Sequence, residues 1–202
     1  TAIMGAVAKH VFLVTDATQL EETVRSAFDL ARTGRPGPVV IDIPKDIQNW
    51  EGAFKGHGML PLHGYRRRLR AITENKLSDD ACERFYTMLS ESERPLIYAG
   101  GGVINANASK AMRQFAKEYG VPVATTLMAL GASDTNHPLA LHMLGMHGVA
   151  SANYAVEDCD FLIAIGARFD DRVAGNPAQF APRAKNIAQF DVDSAEIGKV
   201  KR

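Results

Sequence analysis

The sequence predicts an α/β protein: a parallel sheet with helices on both faces, preceded by a helix–strand remnant of another α/β domain. Three observations carry this. Short apolar runs of strand length alternate with helical stretches of about ten residues, the pattern of parallel strands joined by helical crossovers. Two of those runs, Pro95–Ala99 and Phe161–Ile165, end directly in glycine. That end of a parallel strand is where such sheets receive ligands, and glycine lets backbone approach them closely. Third, residues 45–75 hold Gly52, Gly56, Gly58, Pro61 and Gly64 and lose all periodicity, so they divide the chain.

The elements follow in order. Asp16 is a natural N-cap for a helix over 16–33, with Leu20, Val24, Ala27, Phe28 and Ala31 at helical spacing. Gly34 supplies the C-terminal stop and Pro36 forbids continuation. Pro38 to Pro44 then reads as a buried strand bounded by prolines. Residues 1–46 are therefore one piece, 47–76 an interdomain linker and 77–202 a second α/β domain. Within it, Ser78 caps a helix over 79–90, the strand 95–99 follows, and a helix over 108–118 is closed by Gly120. Strands are predicted at 121–126, 161–165 and 186–193, with a helix near 149–157. No internal repeat is present at a fixed period.

Bulk properties narrow the function classes. The 202 residues carry 23 Lys+Arg and 23 Asp+Glu, so no net field favours nucleic acid or a membrane surface. Cys82 and Cys159 stand far apart, without ligand spacing, which argues against a disulfide framework or zinc site and for a reducing, cytoplasmic-type compartment. No apolar stretch reaches the ~20 residues of a membrane span, and the first residues do not read as a signal peptide. The chain starts at Thr1 and stops at Arg202 just after an apparent strand, and both ends look cut. The expectation is a fragment of a longer protein.

The chemistry-bearing segments are few. Gly100-Gly101-Gly102 lies between a strand and a helix, where bare N–H groups attract a phosphate. The spacing is not GxGxxG, and a plain turn is an equal reading. Arg168 and Arg172 offer forked donors to a phosphate or a ring carbonyl, or else pair with Asp170 and Asp171 in a local cluster. Asp191 and Asp193 suit ribose hydroxyls or an adenine amine, or serve as N-cap carboxylates for a helix starting at Ser194. Met128, Met143 and Met146 suit a flat aromatic ring or an ordinary core. His147 is a base or, more commonly for a lone histidine, a packed residue. The run Arg66-Arg67-Arg68-Leu69-Arg70 grips phosphates or is a solvated linker face. There is no GxSxG, HExxH or Cys/His pair, so no catalytic residue and no metal ligand is assigned.

Longer motifs carry a resemblance. Gly34-Arg35-Pro36-Gly37-Pro38-Val39-Val40-Ile41-Asp42-Ile43-Pro44-Lys45-Asp46 resembles the end of the first domain of thiamine-diphosphate-dependent enzymes. Met143–Gly148, Gly166–Val173, Lys9–Val14 and Asp191–Gly198 resemble one branch of them, the acetohydroxyacid synthase (acetolactate synthase) catalytic large subunits. The resemblance spans the chain except the variable linker at about 47–76.

That resemblance implies three α/β domains in the parent. Residues 1–46 would be the end of its pyrimidine-binding domain, and 77–202 most of its Rossmann-like central domain, which holds FAD. Gly100, Gly101 and Gly102 would meet the diphosphate and nearby ribose. Thr126, Leu127 and Met128 would line the flavin side together with Leu144, Gly145, Met146 and His147. Gly166, Ala167, Arg168, Asp170, Arg172 and Val173 would form the opposite wall. Asp191 and Val192 would hold the adenosine end, and Arg35 would reach across from the first domain.

The implied parent reaction is thiamine-diphosphate-dependent decarboxylation of pyruvate and condensation with pyruvate or 2-oxobutyrate, for branched-chain amino-acid synthesis. FAD is structural there, which suits the missing nucleophile. Thiamine diphosphate and Mg2+ belong to the parent, whose activating glutamate and diphosphate motif fall outside 1–202, so the fragment alone is expected to be inactive. Ala129 stands where the family commonly has glycine. A homo-oligomer is implied, with a regulatory small subunit as a further partner, in bacterial cytoplasm or an organellar stroma or matrix. Two other readings stand beside it: a stand-alone nucleotide-binding module, and a fragment of a related enzyme such as glyoxylate carboligase or pyruvate oxidase. The strand at 38–44 is expected to lack sheet partners, leaving an apolar edge and hence self-association or a disordered N-terminal region.

Overall fold

A computed structural model describes residues 2–53, 58, 60 and 77–201. It divides into two compact units, Thr1–Lys76 and Leu77–Arg202. The arginine run at 66–70 and most of the linker lie outside the described residues.

The first unit is a β–α–β crossover. Strand β1 (His10–Leu13) leads through a 3-10 turn at Ala17–Gln19 into helix α1 (Leu20–Arg32), then to strand β2 (Val39–Asp42) and the short helix α2 (Lys45–Gln48). Asp16 caps the 3-10 turn by accepting from the Thr18 N–H at 2.9 Å, so α1 itself starts four residues later than the periodicity alone suggests. Lys9 closes the other end of α1: its Nζ donates to the carbonyls of Leu30, Thr33 and Arg35 at 2.7, 2.7 and 3.0 Å. A cation is favourable there because the last carbonyls of a helix are unpaired and carry its negative pole. Strands β1 and β2 pair in parallel, His10 opposite Val39 through Leu13 opposite Asp42. The expectation that the 38–44 strand lacks a partner is therefore corrected. Its partner is 29 residues upstream, and a parallel pair needs an intervening crossover of that kind.

The second unit contains helix α3 (Asp79–Ser90), β3 (Pro95–Ala99), α4 (Gly101–Asn105), α5 (Ser109–Tyr119), β4 (Val123–Thr125), β5 (Ala140–Met143), α6 (Ala150–Asp158), β6 (Phe161–Ile165), α7 (Asp171–Ala174) and β7 (Asn186–Phe190). The five strands are all parallel, in the order β5-β4-β3-β6-β7. Ser78 and the left-handed Gly120 cap α3 and α5 as expected. Strands β3 and β6 send alternate residues to opposite faces. Leu96, Tyr98, Leu162 and Ala164 join one core with Ala152 and Val156 of α6. Ile97, Ala99, Phe161 and Ile163 join the other with Met112 and Ala116 of α5 and Leu89 of α3. Both faces are dry, which is why these strands read as unbroken apolar runs. The predicted α/β class, a parallel sheet with helices on both faces, is the observed one.

At the amino ends of the strands, opposite the glycines, Asp160 ties β6 to the turn before β3. Its carboxylate accepts from the Ser92 hydroxyl and from the N–H groups of Glu93 and Arg94, the last two at 2.9 and 3.0 Å. Burial works to raise the Asp160 pKa, but the hydrogen bonds from Ser92, Glu93 and Arg94 outweigh it and hold the carboxyl below its usual range. A depressed folded pKa contributes stability above the unfolded value of about 3.9, lost as pH falls through the folded one. Asp160→Ala is expected to cost about 2 kcal/mol at neutral pH, from charge-assisted hydrogen bonds in a partly exposed site. Urea unfolding at pH 7 and pH 3 checks this, and the gap between variant and native chain should narrow at the lower pH.

Candidate functional site

Counted within the second unit, the sheet order is 3-2-1-4-5, and the strand order reverses between β3 and β6. The crevice at the carboxyl ends of those two strands is where open α/β sheets bind ligands. Gly100–Gly102 and Gly166 stand there. They are packed against each other to the limit that backbone allows. A Cβ on Gly100 would lie 2.1 Å from the Gly166 carbonyl oxygen, and one on Gly102 would lie 2.6 Å from the Gly166 Cα. The Gly100 N–H donates to the Ile165 carbonyl at 2.9 Å and the Gly102 N–H to the Gly166 carbonyl at 3.1 Å. Two of the three N–H groups of the run are thus occupied within the fold. The first role of these glycines is close approach, of two strand ends at Gly100 and Gly102 and of the Met128 segment at Gly101, the first residue of α4. A Cβ on Gly101 would have Met128 as its nearest neighbour, at 3.0 Å.

Thr126, Leu127 and Met128 follow β4 directly, so the segment after β4 borders the one after β3. Leu127 and Met128 are exposed, whereas Ala129 is fully buried at the end of their 3-10 turn. The Thr126 N–H donates to the Ala99 carbonyl at 2.9 Å. Its Oγ1 is buried and has no hydrogen-bond partner. Such an atom costs free energy unless a ligand or water completes it.

The two segments singled out in the sequence, Met143–Gly148 and Gly166–Val173, meet in space. Gly145 has a φ of +96°, and a Cβ on it would lie 2.8 Å from the Arg172 carbonyl oxygen. The Met146 N–H donates to that same oxygen at 2.9 Å. Leu144 and Gly145 are buried; Met146 and His147 are exposed. Asn153 of α6, absent from the sequence-derived candidates, bonds both polar groups of the Gly145 backbone: its Oδ1 accepts from the N–H at 2.8 Å and its Nδ2 donates to the carbonyl at 3.1 Å. An amide one turn into a helix that follows a glycine-rich loop is the only signal that pointed to it.

Opposite, Ala167 and Phe169 are buried while Arg168, Asp170 and Arg172 are exposed. Arg168 pairs with Asp170 at 3.6 Å, and Arg172 with Asp171 at 3.9 Å, all half-exposed or more. Surface pairs of this kind contribute little, so they leave the guanidinium groups available. Asp170 also caps α7 by accepting from the Arg172 N–H at 3.2 Å. Hydrogen bonding from the neighbouring Asp171 side chain, then from the Arg172 N–H, holds the Asp170 carboxyl below its usual range. The loop is anchored from below by the Phe169 ring, which sits 5.4 Å from Tyr98 and 5.9 Å from Phe180. Tyr98 is fully buried, its hydroxyl has no hydrogen-bond partner, and burial pushes its pKa up, with the nearby Asp170 adding to the rise.

Asp191, past the end of β7, accepts from the Asp193 N–H at 2.9 Å, and Asp193 accepts from the Ala195 N–H at 3.1 Å. These carboxylates close a turn; the helix expected to start at Ser194 is corrected to a turn over 194–198, with Val192 exposed between the two acids. Val173 is half-buried behind Gly145. Arg35 lies in the first unit, exposed in the turn between α1 and β2. Among the described residues, no group of three or more His, Cys, Asp or Glu is placed to hold a metal ion. No helix among them is long and apolar enough to cross a membrane. The crevice thus offers backbone, hydroxyl, guanidinium and thioether groups, a set that binds and orients.

Comparison with known proteins fits this geometry. Residues 82–202 match the family described as "Thiamine pyrophosphate enzyme, central domain". The chain is 46% identical to "Acetolactate synthase 2, chloroplastic" of Nicotiana tabacum, over 99% of this chain and 29% of that protein. It is also 46% identical to "Acetolactate synthase large subunit" of Corynebacterium glutamicum, over 97% of the chain and 30% of that protein. "Probable acetolactate synthase large subunit" of Methanocaldococcus jannaschii gives the same identity over 96% and 32%. The chain therefore spans about three-tenths of the length of the curated relatives it matches.

Proposed function

We propose a function from one premise: the chain belongs to the thiamine pyrophosphate enzymes, through the central domain of that family. The reading is that it forms part of an acetolactate synthase catalytic subunit, with residues 77–202 as an FAD-binding central domain. Residues 1–46 would be the end of the pyrimidine-binding domain, and 47–76 the linker between them. The observation that carries this is the 46% identity, held over nearly the whole chain, to proteins of that name from a plant, a bacterium and an archaeon. The parent reaction would be decarboxylation of pyruvate on thiamine diphosphate with Mg2+, then condensation with pyruvate or 2-oxobutyrate. The parent would be a homo-oligomer, with or without a regulatory small subunit, in a bacterial cytoplasm or an organelle.

The crevice fits a flavin nucleotide. The glycine run Gly100–Gly102 stands at the carboxyl end of β3, where a diphosphate would approach, and the buried Thr126 Oγ1 is without a hydrogen-bond partner. Met128 and Met146 are exposed thioethers beside the crevice, suited to lie against a flat ring. Arg168 and Arg172 provide forked donors opposite the Gly145–His147 turn, and Asp191, just past the last strand, would hold the adenosine end. Arg35 would add a contact from the first domain. FAD, when bound, would fill and order this crevice; in a reaction without net electron transfer its contribution is structural. The chain's own groups bind and orient, and none moves a proton.

Titration of the chain with FAD, read by flavin fluorescence, is expected to saturate at one equivalent and to be competed by ADP. At about 100 times the dissociation constant, FAD should stabilise the chain by about 2.7 kcal/mol. Thr126→Val should leave the free chain as stable or slightly more so, because it removes an unsatisfied buried hydroxyl. It should weaken FAD about tenfold, the worth of one hydrogen bond of about 1.4 kcal/mol. A chain that binds neither FAD nor ADP would overturn the assignment of this crevice to a flavin nucleotide.

A further inference from the structure

We infer that Asn153 is the positioning residue of the crevice: its carboxamide holds the Met143–Gly148 segment in its ligand-receiving shape. The inference deepens the flavin reading and, for its effect on affinity, rests on it. The argument starts with the backbone of Gly145. At a φ of +96° that residue has no help from regular secondary structure, and its N–H and C=O must find other partners. The Asn153 side chain supplies both, accepting from the N–H at 2.8 Å and donating to the carbonyl at 3.1 Å. A carboxamide is the neutral side-chain group that can do both at once to a single residue, since it carries an acceptor and a donor side by side.

The consequence reaches past Gly145. With that residue fixed, the next N–H, from Met146, is aimed at the Arg172 carbonyl at 2.9 Å. The Met146 and His147 side chains then stand exposed, while Gly145 packs against the segment that carries Arg172 and Val173. Behind this junction, the Gly148 N–H returns to the Gly145 carbonyl at 2.9 Å and the Val149 N–H to the Met143 carbonyl at 2.8 Å. Asn153 itself is fixed by α6, whose Ala152 and Val156 are buried in the core on either side of it. A rigid helix thereby sets a loop that has no apolar anchor beyond Leu144. Ligand affinity falls in proportion to the loss of the binding-competent population.

Two substitutions test this on the whole chain. Asn153→Ala removes both bonds. Amide hydrogen exchange at Gly145, Met146 and Gly148 should then quicken at least about tenfold, while that of β3 and β6 stays put. The dissociation constant for FAD should rise by about the same factor. Asn153→Asp supplies a pH signature that a purely structural residue would not show. Its neutral carboxyl offers an acceptor and a donor like the amide, whereas its ionised form faces the Gly145 carbonyl with negative charge. Loop protection and FAD affinity should therefore fall toward the alanine level at pH 7 and recover toward native as the pH is lowered and the carboxyl protonates. Unchanged exchange at Gly145 and Met146 in both variants would overturn the inference. If the native chain binds no FAD, the flavin reading fails, and the exchange measurements still decide whether Asn153 holds the loop.

Discussion

Gly100→Ala is expected to destabilise the second unit by about 4 kcal/mol and to abolish nucleotide binding with it. The reason is steric. Gly100 has φ −107° and ψ 178°, a conformation open to any residue. What alanine cannot avoid is the 2.1 Å approach to the Gly166 carbonyl oxygen and the 2.6 Å approach to the Ala167 Cα. Both are main-chain atoms, so no side chain can swing aside. Relief requires the ends of β3 and β6 to part, and that strains the Gly100–Ile165 and Gly102–Gly166 hydrogen bonds, at 2.9 and 3.1 Å. Overpacking a core typically costs about 1–3 kcal/mol, and each strained hydrogen bond adds about 1 kcal/mol. Against a total stability of roughly 5–15 kcal/mol this is a large fraction. Gly131→Ala is the control: Gly131 has a φ of +89° but open space around its Cβ direction, so it carries conformational strain alone, about 1–2 kcal/mol. Urea unfolding of both variants separates the effects, and equal losses would remove the close-approach explanation.

The same contact marks how far the sequence can be read. Strands β3 and β6 are legible because both faces are buried, which gives unbroken apolar runs, and because each stops at a glycine. Helices α3 and α5 are legible from their caps, Ser78 and Gly120. Strand β1 is not, since Lys9–Val14 is short and its pairing depends on β2, which lies a whole helix away. Strand β5 is masked by a left-handed His142, with φ 63°, and by a register shift against β4. Helix α4 begins with two glycines, poor helix formers, which are required there by close approach, of Gly101 to Met128 and of Gly102 to Gly166. In the crevice, Met143–Gly148 and Gly166–Val173 each stand out as composition, but no local pattern announces that Gly145 packs on Arg172. That contact is fixed by the sheet order, a long-range property. Asn153 escaped notice for the same reason, being defined by the carbonyl it reaches and not by its neighbours in sequence.

Phe169→Ala is the second large effect, about 4 kcal/mol, within the range for removing a buried phenyl ring. The ring is 3% exposed and packs edge-on against Tyr98 and Phe180. It holds a backbone that is unfavourable for its own type: φ at Phe169 is +55°, in the left-handed region that bulky residues rarely occupy. The burial of the ring offsets that strain and fixes the loop from beneath. Exposed ion pairs such as Arg168–Asp170, at 3.6 Å, are too weak to do so. Alanine keeps the strain and loses the ring. Phe169→Gly loses the ring but releases the strain, so it should be about 1 kcal/mol more stable than Phe169→Ala, an inversion of the usual glycine penalty. Tyr98→Phe completes the test, because it keeps the aromatic stack and removes a hydroxyl without a partner, and should leave stability within about 1 kcal/mol of native. If the ring is the anchor, FAD affinity will fall in Phe169→Ala and Phe169→Gly alike and hold in Tyr98→Phe. Retention of native affinity in both Phe169 variants, at temperatures where they remain folded, would show that the loop bearing Arg168 and Asp170 is positioned by something else.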